Sequence, residues 1–188
     1  LSLEPKHIDA MYRLALILED QGRVSEALTM LERVIGLSPG HANACNSAGV
    51  LSQTLGDIDV AIKYFRRAIS VRPEFAEAHR NLAFARQNVE IDDDVRRSEA
   101  LLEHELDDVS AMHVSFAMAK IHDDLGEYNN AFKHLSRGNM LKRRMLDYDI
   151  GLESDFFAEL ERAFDSSFFQ GRIGWGLEDQ TPIFVVGM

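Results

Sequence analysis

Residues 8–41 read IDAMYRLALILEDQGRVSEALTMLERVIGLSPGH, and residues 42–75 read ANACNSAGVLSQTLGDIDVAIKYFRRAISVRPEF. Both segments are 34 residues long, and the same residue types recur at the same places. The repeated residues are three prolines (Pro5, Pro39, Pro73), two glycines (Gly22, Gly56) and two alanines (Ala27, Ala61). A period of this length with these residue types is typical of stacked helix-turn-helix units.

Each segment divides into two helices. In the first helix of residues 8–41, apolar residues recur three and four positions apart, which is helical spacing, and Gly22 ends that helix. The second helix begins near Ser25 and stops at Pro39. Small residues at the repeated positions allow close approach of the helices, and Leu31 and Phe65 are expected to fill the space between layers.

Two more hairpins follow in weaker form, over residues 76–109 and 112–146. Gly126 lies 70 residues after Gly56, which is two periods plus two residues. The third unit therefore carries an insertion, expected in the acidic segment Glu90–Asp94, and Asp92–Asp94 is expected to be an exposed turn. In the fourth unit, the second helix is expected to continue to about residue 146.

This pattern resembles the tetratricopeptide repeat family, whose small residues fall here on Ala15, Ala27 and Val34 and then on Gly49, Ala61 and Ala68. The resemblance implies an all-α protein, a right-handed superhelix of about four helical hairpins over residues 1–146. The repeats are expected at approximately 8–41, 42–75, 76–109 and 112–146.

The resemblance also implies a concave groove lined by the first helix of each hairpin, with a protein or peptide as its ligand. The residues expected to face it are Asp9, Tyr12, Leu16, Glu19, Asn43, Asn46, Val50, Gln53, Glu77, Arg80, Phe84 and Gln87. Amide side chains and the rings of Tyr12 and Phe84 could hold an extended peptide, or the groove could be packed by a helix of the chain itself. Arg80 alone does not form a basic clamp for a terminal carboxylate.

Residues 147–180 are expected to form a connecting helix, from 152 to 169 and rich in phenylalanine, followed by a glycine-rich linker. Residues 181–188 read TPIFVVGM, a pattern that predicts a buried strand running into a glycine turn. An isolated strand leaves backbone groups unpaired, so residues 183–186 are expected to be disordered, to pack against the phenylalanine-rich helix, or to pair with a second copy of the chain in a homodimer.

The order of these segments resembles bacterial sulfotransferases that carry N-terminal tetratricopeptide repeats. That resemblance implies that residues 181–188 open a sulfotransferase-like α/β domain, a partner for the repeats within the full-length protein. Its cofactor would be 3′-phosphoadenosine 5′-phosphosulfate, and Gly187 would lie at the edge of the loop that binds the phosphosulfate. Residues 1–188 supply no catalytic residue and no cofactor site of their own. The alternative is a free-standing scaffold or adaptor without a catalytic domain.

Composition limits the remaining function classes. The net charge of −11 argues against nucleic-acid binding, and no apolar run is long enough to span a membrane. The single cysteine, Cys45, fits a reducing compartment such as the cytoplasm, and its place in the repeat predicts an inert buried thiol. The seven histidines lack the local pairing of a metal site, so none is predicted.

Charge is unevenly distributed along the chain. Residues 86–108 hold nine acidic and three basic side chains, whereas Lys133–Arg144 holds five basic side chains and no acid. Each segment is either a solvated helix face or a surface that attracts an oppositely charged neighbour.

Overall fold

The computed structural model describes residues 7–147 and 149–172 of the chain. Regular structure in these residues is helical throughout, so the all-α prediction is confirmed for this part of the chain. The helices are α1 Ile8–Asp20, α2 Val24–Leu37, α3 Ala42–Thr54, α4 Ile58–Val71, α5 Ala76–Ala85, α6 Asp93–Ala100, α7 Asp108–Asp124, α8 Tyr128–Arg144, α9 Ile150–Ala163 and α10 Ser166–Gln170. A turn of 3₁₀-helix, Leu101–Glu103, follows α6. The chain divides into two compact units, residues 1–146 and 147–188.

Three hairpins of the first unit close with the same glycine turn. Gly22, Gly56 and Gly126 have φ values of 72°, 88° and 76°, a conformation that only glycine adopts without strain. In the first turn, the Arg23 N–H donates to the Leu18 carbonyl at 2.9 Å, across the glycine. This bond satisfies a carbonyl that the end of the helix leaves unpaired. Because the turn is the same each time, α1–α2, α3–α4 and α7–α8 are equivalent hairpins.

The first two hairpins and α5 share one hydrophobic core, which includes Met11, Leu31, Cys45 and Phe65. Gly49 of α3 faces the ring of Phe65, and a Cβ at Gly49 would lie only 2.4 Å from that ring. The close approach of α3 to α4 therefore requires the glycine. The expectation that small residues allow close approach of the helices, and that large residues fill the space between layers, is met at this pair.

The third hairpin departs from this plan. Its helices α5 and α6 have ten and eight residues, and residues 86–92 connect them without a glycine turn. Asp92 caps α6 by accepting a hydrogen bond from the Val95 N–H at 3.1 Å, so Asp92–Asp94 begins a helix. The expectation of an exposed turn there is wrong, because the three carboxylates lie at a helix N-terminus, where they are stabilised.

Two polar anchors hold the 86–92 connection. The side-chain amide of buried Asn88 donates to the Asp124 carboxylate of α7 and to the Ala83 carbonyl of α5, at 2.8 and 3.1 Å. Arg86 pairs with Asp92 at 2.5 Å and with Asp94 at 2.9 Å. Since α6 is short, α5 packs chiefly on α7, and Ala83, Val95, Met118 and Ile121 belong to a second core.

In the second unit, the predicted single helix 152–169 is two helices, α9 and α10. Asp165 lies at the break and accepts hydrogen bonds from the Phe168 N–H (2.8 Å) and the Ser167 hydroxyl (2.7 Å). It is therefore the N-cap of α10, which explains why α9 does not continue. The predicted linker beyond residue 172, the strand 181–188 and Gly187 lie outside the described residues.

Candidate protein-binding groove

The candidate groove is the face shared by the first helices α1, α3 and α5. Its predicted residues recur three, four and three positions apart in each helix, which places them along one side. The four predicted residues of each helix form one row of the groove. In the first row, on α1, Asp9 is exposed, and Tyr12, Leu16 and Glu19 are half-buried. The first row thus offers one ring, one aliphatic side chain and two carboxylates.

Tyr12 is positioned by the junction between α1 and α3. Its ring centroid lies 4.8 Å from that of His41. His41 in turn caps α3, because its Nδ1 accepts a hydrogen bond from the Ala44 N–H at 3.1 Å. His41 therefore both caps α3 and contacts the ring of Tyr12, which positions that ring at the junction.

Glu19 stands out among the groove carboxylates. Partial burial and the neighbouring negative charge of Asp20 raise the pKa of Glu19 above its ordinary value. Neither Glu19 nor Asp20 has an ion-pair partner among the described residues, and both lie at the C-terminal end of α1, where the helix dipole disfavours negative charge. A cation placed beside Glu19 would be stabilised by this arrangement.

The second row differs in one respect from the expectation. Asn43 is exposed and accepts a hydrogen bond from Arg72 at 2.8 Å, and Gln53 is exposed without such a bond among the described residues. Asn46, however, is buried, and its Oδ1 accepts from the Asn81 side-chain amide at 3.0 Å. Asn46 therefore joins α3 to α5, and Asn43, Val50 and Gln53 are the residues of this row that a ligand can reach.

The third row combines a cation with an aromatic ring. A guanidinium nitrogen of Arg80 lies 3.4 Å from Nδ1 of His113, and the guanidinium carbon lies 6.0 Å from the ring centroid of Phe84. Burial, followed by the charge of Arg80, lowers the pKa of His113, which favours the neutral imidazole. Glu77 is half-buried, and Phe84 and Gln87 are exposed, the latter beyond the end of α5.

The sequence analysis missed a fourth row on α7. The offsets that relate Gly56 to the second row, counted back from Gly126, give His113, Phe116, Lys120 and Asp123. Lys120 pairs with Asp124, and the ring of Phe116 lies against Gly138 of α8, where an added Cβ would be 2.8 Å from it. The repeated glycine was the signal that could have located this row.

Other kinds of site find no support in the described residues. No group of three or more His, Cys, Asp or Glu side chains in residues 7–147 and 149–172 is placed to hold a metal ion. Cys45 is fully buried, and burial raises the pKa of its thiol, which makes it a poor nucleophile. No helix in this part of the chain is long and apolar enough to cross a membrane.

Comparison with known proteins identifies the repeats. Residues 9–41 and 42–75 each match a model of the tetratricopeptide repeat. Residues 9–75 are therefore tetratricopeptide repeats, as predicted. No curated protein sequence matches the chain at a significant level.

Several solved structures share the fold. The crystal structure of MamA is 17% identical with a TM-score of 0.57, and the alignment covers 79% of this chain and 85% of MamA. A putative kinesin light chain from Podosopora anserina, with nearly identical TPR-like repeats, is 17% identical with a TM-score of 0.56 and coverages of 79% and 81%. MamA 41-end from Desulfovibrio magneticus RS-1 is 18% identical with a TM-score of 0.53, and the alignment covers 77% of this chain and 80% of that chain. At these identities the likeness shows the fold alone, and the expected link to sulfotransferases gains no support from it.

Proposed function

We propose that the concave face of α1, α3 and α5 binds an extended polypeptide segment, and that the chain acts as a protein-interaction module. One observation carries the proposal: exposed amide side chains, Asn43 and Gln53, lie on the same face as the accessible rings of Tyr12 and Phe84. An amide group both donates and accepts, so it can pair with peptide N–H and C=O groups, while the rings hold apolar side chains.

The charges of the groove orient the ligand. Asp9, Glu19 and Asp20 make the α1 end negative, whereas the α5 end carries both Glu77 and Arg80, whose charges offset each other. A basic side chain of the ligand is therefore expected at α1, and an aromatic one beside Phe84 at α5. Charge pairs of this kind chiefly set the orientation and the specificity of binding.

The proposal can be tested with a displayed library of random peptides selected on the purified chain. Enriched peptides should bind the wild type and lose at least about tenfold in affinity to the double variant Leu16→Ser/Gln53→Ala, a cost of roughly 1.4 kcal/mol. The matched control is Val60→Ser/Lys63→Ala on α4, where both side chains are exposed and outside the groove. Peptides that bind the groove variant as tightly as the wild type would overturn the proposal.

A second candidate places this module in a sulfotransferase. Its support is the sequence of residues 181–188, TPIFVVGM, which resembles the first strand of that domain. In such a protein the groove would position a polypeptide or carrier substrate, in a reducing compartment such as the cytoplasm. The alternative is a scaffold or adaptor without catalysis.

The coding sequence after Met188 separates the two candidates. A Pro-Arg-Ser-Gly-Thr-like loop followed by a helix supports the sulfotransferase, and the encoded full-length protein should then gain thermal stability from 3′-phosphoadenosine 5′-phosphosulfate. A stop codon or an unrelated segment rejects it. Neither result affects the peptide-binding proposal, because the groove residues lie in α1, α3 and α5 and in the segment that follows α5.

A further inference from the structure

A cavity lies at the junction of the first two hairpins, at the edge of the candidate groove. It has a volume of about 430 Å³. Its lining includes Ser38 and His41 before α3, Asn43 in the first turn of α3, and Arg72 directly after α4. Asn43 belongs to the second row of the groove, and the ring of His41 contacts that of Tyr12 in the first row. The cavity and the groove are therefore neighbours.

Arg72 is the charged side chain of this cavity, and it is half-buried. Its guanidinium carbon lies 3.6 Å from the ring centroid of Phe75, and one guanidinium nitrogen donates to Oδ1 of Asn43 at 2.8 Å. Stacking on the ring covers a face of the guanidinium and leaves N–H groups on its edge for an acceptor. No carboxylate of the described residues forms an ion pair with Arg72. A half-buried cation of this kind is stabilised by an anionic ligand.

The neutral side chains beside Arg72 supply hydrogen-bond donors. Because Nδ1 of His41 accepts from the Ala44 N–H, the ring carries its proton on Nε2, which can donate. Because Oδ1 of Asn43 accepts from Arg72, the amide NH₂ of Asn43 keeps its donors for a ligand. The hydroxyl of Ser38 can donate as well. Such a set of donors fits a carboxylate, which only accepts.

The charge of the lining differs from that of the chain. Among the described residues that line this cavity none is acidic, although the chain has a net charge of −11. Glu74 and Glu77 line a separate cavity that Arg72 also borders. The α1 end of the groove carries Asp9 and Glu19, so the sign of the charge changes between α1 and this junction. A ligand with one basic and one acidic side chain matches both places.

We propose that this cavity receives the side-chain carboxylate of an aspartate or glutamate in the peptide that the groove binds. Arg72 is the counter-ion of that carboxylate, and Asn43 and His41 supply further donors. The inference rests on the proposed function, because it names a side chain of the same ligand and the place that receives it. It adds an acidic side chain to the basic one expected at α1 and the aromatic one expected beside Phe84.

The test uses peptides selected on the purified chain and synthesised with an amidated C-terminus, so that any carboxylate belongs to a side chain. The peptides should share an acidic residue, and its exchange for the matching amide should weaken binding to the wild type about tenfold. Arg72→Gln should bind both forms of the peptide equally, as weakly as the wild type binds the amide form. Added salt should reduce the preference of the wild type for the acidic form.

Lys63→Gln is the matched control, because it removes the same charge from an exposed position on α4 outside the cavity. This variant should keep the wild-type preference for the acidic peptide. Arg72 contacts Asn43 and Phe75, so thermal unfolding of Arg72→Gln is measured beside the binding. The exchange of acid for amide is made in the peptide, so the comparison on the wild type holds even if Arg72→Gln is destabilised.

Two results overturn this inference and leave the proposed function intact. In the first, peptides that lose affinity to Leu16→Ser/Gln53→Ala bind the wild type equally in their acidic and amide forms. In the second, the exchange weakens binding to Arg72→Gln as much as binding to the wild type, which would place the carboxylate elsewhere. If no peptide binds the groove, the proposed function and this inference both fail.

Discussion

Two residues of the second repeat, Gly49 and Phe65, are matched in size. The ring of Phe65 fills the space above Gly49, so the core of the hairpin depends on the absence of a single methyl group. This detail agrees with the sequence analysis, which read Gly49 as a small repeat position and Phe65 as a filler between layers. The pattern supplied the residue types, but the contact that makes the glycine necessary is visible only in three dimensions.

Gly49→Ala should therefore destabilise the chain. The added Cβ would overlap the Phe65 ring, which must shift, and overpacking of this kind costs about 1–3 kcal/mol of unfolding free energy. Urea denaturation measures the change. Gly36→Ala on α2 is the control, since nothing lies within 4 Å of its added Cβ, and this variant should be neutral or gain about 0.5–1 kcal/mol. Equal effects of the two substitutions would contradict the account.

A histidine occupies a core position in the third repeat, where the first two repeats have Met11 and Cys45. His79 is buried, its Nε2 donates to the Pro73 carbonyl at 2.8 Å, and its Nδ1 pairs with the Ser98 hydroxyl at 2.9 Å. Burial lowers its pKa, against the smaller opposing effects of the Pro73 hydrogen bond and Asp94, so the folded state holds a neutral ring. Since Ser98 belongs to α6, His79 joins α5 to α6, a role that the repeat pattern does not reveal.

The lowered pKa predicts a loss of stability in mild acid. Below about pH 6.5 the unfolded chain binds a proton at this residue more readily than the folded chain, so the unfolding free energy falls as pH decreases from about 7.5 to 5.5. His79→Gln should reduce this pH dependence, although His113 and His134, whose pKa values burial also lowers, will retain part of it.

Urea denaturation at several pH values provides the measurement. His104→Gln is the control, since His104 is exposed, and it should keep the wild-type dependence on pH. If the unfolding free energy of His79→Gln also depends on pH as strongly as that of the wild type, His79 is not the source of the lost stability in acid.

At the scale of the element, α6 shows where a repeat pattern stops being informative. Val95 and Asp107 take the places of the expected alanine and proline, and the helix is held by residues far away in sequence. Asp94, which is largely buried, pairs with Arg66 of α4 at 2.8 Å and with Arg86 at 2.9 Å. Such pairs depend on tertiary packing, so the repeat pattern could not predict what holds α6 in place. The start of α6 and the break between α9 and α10 are different, because Asp92 and Asp165 are recognisable N-cap residues.

Asp94→Asn should loosen α6. The substitution leaves the Arg86 guanidinium, itself largely buried, with a weaker partner, and the expected cost is about 1–3 kcal/mol. Amide hydrogen exchange should accelerate in α6 more than in α2 or α4. Asp93→Asn removes only an exposed pair with Arg96 and should change stability by less than about 0.5 kcal/mol. Uniform acceleration across all helices would show that Asp94 does not act locally.

At the scale of the whole molecule, the 34-residue period predicts the hairpins of residues 8–75 because each turn is local and repeats the same glycine geometry. The groove rows follow from the same period, and so does the missed row on α7. Burial of Asn46 could not be read from the period, since it depends on the Asn81 amide of the next hairpin.

The central claim, that the face of α1, α3 and α5 binds polypeptide, is tested most directly by nuclear magnetic resonance. A peptide selected on the chain is titrated into the isotopically labelled protein, and amide shifts are mapped onto the helices. The account predicts that the largest changes fall around Tyr12, Asn43, Gln53 and Phe84, with little change on the outer faces of α2 and α4. Changes concentrated on α2 and α4, with the groove residues unaffected, would contradict it.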